Sequence, residues 1–95
     1  MAIVYDIIVS YMTKRTKTIG NGPYDREKVV QDLNTVLGPV LMPEMSYSVA
    51  DQYCPQDKSI TSSQLESILN NVSTLVSNVV GGEVIAQRML TAATA

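Results

Sequence analysis

Between Leu65 and Val80 the apolar and polar positions separate into two arcs. At 100° per residue, Leu65, Ile68, Leu69, Val72, Leu75, Val76, Val79 and Val80 fall within roughly 140° of one another. The spacing predicts an amphipathic helix, capped by Thr61 or Ser63 with Gln64 or Glu66 completing a capping box, and closed by Gly81-Gly82. The polar arc is unusual in holding Ser67, Asn70, Asn71, Ser73, Thr74, Ser77 and Asn78, with Glu66 as its single charge. Solvated helix faces generally carry Lys and Glu, whose ion pairs and hydration stabilise them. A neutral face of Ser, Asn and Thr can meet another protein at little desolvation cost. Ser67, Asn70, Asn71, Thr74, Ser77 and Asn78 are therefore the candidate protein interface. The competing explanation is compositional, because Ser, Thr and Asn are abundant throughout the chain.

Val29, Val30, Leu33, Val36 and Leu37 also recur at helical spacing, with Asp25, Glu27, Lys28, Gln31 and Asp32 on the other side. That helix is expected to begin at Pro23 and to stop at Gly38-Pro39. Ile3 to Met12 is rich in Ile, Val and Tyr, and is expected to be a central strand. Val40–Met42 reads as a short strand ended by Pro43. Met45, Tyr47 and Val49 alternate with Ser46, Ser48 and Ala50 as in a half-buried strand. Residues 83–91 mix strand and helix formers; the double glycine before them favours a strand. Residues 13–22 read as a basic and turn-forming loop, and 92–95 as a frayed tail. The expected architecture is a single α+β domain over 1–95, with two helices on one face of a 3–4-stranded sheet. Counting the two middle strands separately gives βαββαβ, a ferredoxin-like order.

The composition bounds the core. With 95 residues, no Phe and no Trp, one core must be filled by Ile, Val, Leu and Met, helped by five Tyr. The net charge of −2 gives no general attraction to nucleic acid or anionic membrane, but the charges are unevenly spread. Residues 1–28 hold five basic groups (Lys14, Arg15, Lys17, Arg26, Lys28) against three acids. Residues 29–95 hold two bases against six acids. Lys14, Arg15 and Lys17, flanked by Tyr11 and Tyr24, are thus the candidate nucleic-acid contacts, the rings serving as stacking platforms. The plainer role for this segment is a solvated strand end that discourages edge pairing.

Catalytic chemistry has little to work with. The absence of His removes the commonest general base and rules out Ser-His-Asp and Cys-His arrangements. The single Cys54 excludes an intramolecular disulfide, a thiolate cluster and a Cys-x-x-Cys pair; it is either an exposed thiol or a small packed residue. Asp6, Glu44, Asp51 and Asp57 show no spacing that implies a paired site, and Gly20-Asn21-Gly22 lacks a phosphate-loop pattern. No cofactor or metal is expected, and no segment reads as a signal peptide or a bilayer span. These features point to a small non-enzymatic protein acting by contact with itself or another protein in an accessory, inhibitory or assembly role of microbial or viral kind. The expected location is the cytoplasm, or a host-cell interior. The alternative is a nucleic-acid-binding module built on residues 14–17.

Overall fold

The computed structural model describes residues 3–16 and 22–94, and among these it is mostly helical. Helix α1 spans Ile3–Tyr11 and passes into a π-helical turn over Met12–Thr16. Strand β1 is Tyr24–Asp25, α2 is Arg26–Leu37 and α3 is Pro43–Tyr53. Strand β2 is Ser59–Ile60, α4 is Ser62–Asn78 and α5 is Gly82–Thr94. The two strands pair antiparallel, with Tyr24 opposite Ile60 and Asp25 opposite Ser59, and form a clasp two residues long. The expected ferredoxin-like α+β sheet is therefore incorrect: three of the segments assigned to it are helices.

Helix α1 shows why. Val4, Ile7, Ile8, Tyr11 and Met12 are buried, at the i, i+3, i+4, i+7, i+8 spacing of a helical stripe. Asp6 and Ser10, which interrupt an alternating reading, lie one turn apart on the opposite side. The β-branched residues lower helix propensity by only tenths of a kcal/mol each, and burying five large side chains against α4 and α5 outweighs that. Asp6 is exposed in the first turn, where the helix dipole favours an acid. Residues 13–16, expected in a loop, continue the helical path, and Thr13 Oγ1 donates to Val9 O at 2.8 Å.

In α3 the alternating pattern misleads for another reason. The small residues Ser46 and Ala50, one turn apart, are buried, whereas Met45 and Tyr47 are exposed. Ser46 Oγ lies 2.6 Å from Asn34 Oδ1 and 3.1 Å from Pro43 O, which satisfies its hydroxyl against α2. Pro43, expected to end a strand, opens the helix, a position that suits its fixed φ and missing N–H. Residues 83–91 are helical too: α5 buries Ala86 and half-buries Ile85, Met89, Leu90 and Ala93, and it runs on to Thr94 through the expected frayed tail.

The two helices expected from periodicity are present. In α2 Val29, Val30, Leu33, Val36 and Leu37 are all buried, as is Asp32, whose Oδ2 lies 3.3 Å from Lys28 Nζ. Its start is later than expected: Asp25 caps it, accepting from Lys28 N at 3.3 Å, and Pro23 precedes the clasp. In α4 the Thr61–Gln64 capping box is closed in both directions, at 3.1 and 2.9 Å. Leu65, Ile68, Leu69, Val72 and Val76 face the core, together with residues of α1 and α2 and with Ile60. Among the described residues no helix is long and apolar enough to cross a membrane.

Candidate protein-contact face

The outer face of α4 is built by the same periodicity that buries its inner one. With the Leu/Ile/Val stripe turned inward, Ser67, Asn70, Asn71, Thr74, Ser77 and Asn78 are all exposed, and Ser73 at the margin is buried. No residue from Ser67 to Asn78 carries a formal charge. Three hydroxyls are already committed inside the helix. Ser73 Oγ donates to Leu69 O at 2.6 Å, Thr74 Oγ1 to Asn70 O at 3.0 Å, and Ser77 Oγ to Ser73 O at 2.8 Å. Thr74 and Ser77 consequently present only acceptor lone pairs outward. Asn70, Asn71 and Asn78 present both amide donors and carbonyl acceptors.

A groove borders this strip on each side. Towards α1, Val4 and Tyr5 line one of about 420 Å³ together with Asn70, Ser73, Thr74, Ser77 and Asn78. Towards the end of α3, Gln52, Tyr53 and Pro55 line another of about 460 Å³ with Ser63, Gln64, Ser67 and Asn71. Tyr5 reaches the outer residues of α4 because α1 is a helix packed beside it, which the strand expected over residues 3–12 did not reveal.

Cys54 lies in the wall of the second groove, but it is buried. Burial pushes its thiol pKa up; Arg26 nearby acts in the opposite direction, and Asp51 adds to the rise. It is a packed side chain, not an exposed nucleophile. Beside it Arg26 spans the junction of α2 and α3. Its Nη2 contacts Asp51 Oδ1 at 2.9 Å, Asp51 O at 3.1 Å and Cys54 O at 3.4 Å, and its Nε donates to Pro55 O. Arg26 thus closes the end of α3, where carbonyls lack helical partners. Asp51, considered above as a candidate carboxylate, is engaged in this ion pair.

The basic segment is less assembled. Lys14 is exposed, whereas the Arg15 side chain and all of Lys17 lie outside the described residues, as do Gly20 and Asn21. Tyr11 is buried in the core and Tyr24 is half-buried in the clasp, so Tyr11 presents no ring for base stacking. Among the described residues no group of three or more Cys, Asp or Glu side chains is placed to hold a metal ion. No family model, curated protein or solved structure matches the chain.

Proposed function

We propose that this chain acts through protein–protein contact, self-associating through the uncharged outer face of α4, in an accessory or assembly role rather than in catalysis. The observation that carries the reading is the exposure of all six strip residues on a helix whose other face packs Leu65, Ile68, Leu69, Val72 and Val76 into the core. An exposed strip of this length with no ionic side chain lacks what ordinarily keeps helix surfaces apart in solution. It offers hydrogen-bonding groups that can be desolvated without the cost attached to a buried ion.

Asn70→Glu combined with Thr74→Glu tests it. The two new carboxylates sit one turn apart at the middle of the strip, so a two-fold contact would bring four like charges together. The double variant is expected to stay folded, with stability changed by about 0.5 kcal/mol, because both positions are exposed. It is also expected to lose self-association in sedimentation velocity. A double variant that keeps the wild-type association state contradicts the reading.

A further inference from the structure

Residues 54–60 join the end of α3 to the cap of α4, and their hold on the rest of the molecule is narrow. Gln56, Asp57, Lys58 and Ser59 are exposed and Pro55 is half-buried. Cys54 at one end and Ile60 at the other are the side chains of the segment that enter the core. Open space borders it as well. Cys54 and Pro55 line the groove that reaches Ser67 and Asn71, and Gln56 and Lys58 line another of about 410 Å³ with Arg26, Val30 and Tyr47. A segment with so little apolar burial depends on its backbone hydrogen bonds to stay in place.

Those bonds converge on Arg26. It donates from Nη2 to Cys54 O at 3.4 Å, from Nε to Pro55 O, and from its own backbone N–H to Lys58 O at 2.9 Å. The ladder pairs Tyr24–Ile60 and Asp25–Ser59 use the two residues just before it in the chain. The flanking helices are closed by bonds of their own. Cys54 N–H donates to Asp51 O at 3.3 Å in the last turn of α3, and the Thr61–Gln64 capping box starts α4. Cys54 and Thr61 both have extended backbone, with φ −95°, ψ 136° and φ −76°, ψ 164°. Rotation at these two points lifts the segment without unwinding either helix.

We propose that residues 54–60 form a strap that opens as a unit while α3 and α4 stay folded, that Arg26 is its latch, and that opening uncovers the Cys54 thiol. Labelling of Cys54 by the aromatic disulfide 5,5′-dithiobis(2-nitrobenzoate), at constant pH and increasing urea, tests this. A buried thiol reacts only from the open form, so the rate follows the population of that form. The wild-type rate is expected to lie far below that of the urea-unfolded chain. It is also expected to stay flat in urea until global unfolding begins, because lifting so short a segment exposes little surface. Arg26→Leu is expected to raise the native-state rate about tenfold. Loss of the nearby positive charge disfavours the thiolate, so thiol chemistry alone would slow this variant. Arg26→Lys keeps the charge without the planar fork; its rate is expected to fall between the two, and it carries the test if the leucine variant does not fold. A wild-type rate that climbs with urea from zero in step with global unfolding overturns the strap. So does a wild-type rate equal to that of the unfolded chain, and Arg26 variants that label like the wild type overturn the latch.

Discussion

Arg26 contacts carbonyl groups that lie 25 to 29 residues further along the chain, at Asp51, Cys54 and Pro55. A guanidinium suits this place because its donors lie in one plane at fixed angles and can meet several acceptors at once. Its own backbone N–H donates to Lys58 O at 2.9 Å, so one residue ties the start of α2 to the end of α3 and to the approach to β2. Leucine at this position keeps part of the packing and removes every donor. Arg26→Leu is expected to lower unfolding free energy by about 2 kcal/mol, since partly buried carbonyls lose charge-assisted hydrogen bonds. Urea denaturation followed by circular dichroism checks it; an unchanged midpoint would show that water replaces the guanidinium without loss. Spacing alone does not reveal this role, because the partners are backbone carbonyls brought close only by the packing of α2 on α3.

At the scale of the elements, legibility depended on whether hydrophobicity and burial coincide. They do for the apolar stripes of α2 and of α4 as far as Val76, with only Asp32 and Ser73 buried beside them, and both helices were readable from their periodicity. They do not in α3, where Ser46 and Ala50 go inside and Met45 and Tyr47 stay out. In α1 the helical stripe Val4, Ile7, Ile8, Tyr11, Met12 is present in the sequence. A segment so rich in Ile, Val and Tyr also fits a strand, and its packing against α4 and α5 decides between the two. The Gly81-Gly82 pair was readable as a helix stop, but the spacing also put Val80 in the apolar arc of α4, whereas the helix ends at Asn78 and Val80 is 98% exposed. That turn makes a prediction of its own. Gly82→Ala places a methyl group against the Val76 carbonyl, which is backbone and cannot swing aside. A loss of about 2 kcal/mol is expected, the usual cost of overpacking a tight contact. A Gly82→Ala protein that melts at the wild-type temperature would mean that α4 and α5 can separate at no cost.

For the whole molecule, the core occupies the inward faces of α1, α2 and α4, together with Ala50, Cys54, Ile60 and Ala86. Among the described residues, the surface left over includes charged positions, the exposed Met42, Met45 and Tyr47, and the uncharged α4 strip. The neutral strip was legible in the sequence because it depends on one helix. Its grooves were not, because one requires α1 and the other the end of α3 to be placed beside it as helices. An interface of neutral hydrogen bonds is weakly screened by salt, unlike one held by exposed ion pairs or by phosphate contacts. Salt dependence therefore separates this account from one based on Lys14 and its neighbours. The most direct measurement is the native mass by light scattering after gel filtration, at low and high salt, with the 260/280 nm absorbance ratio recorded. The account predicts a species of at least twice the 10.3 kDa chain mass, unchanged by salt and free of nucleic acid. A mass of 10.3 kDa at every concentration and salt level would contradict it.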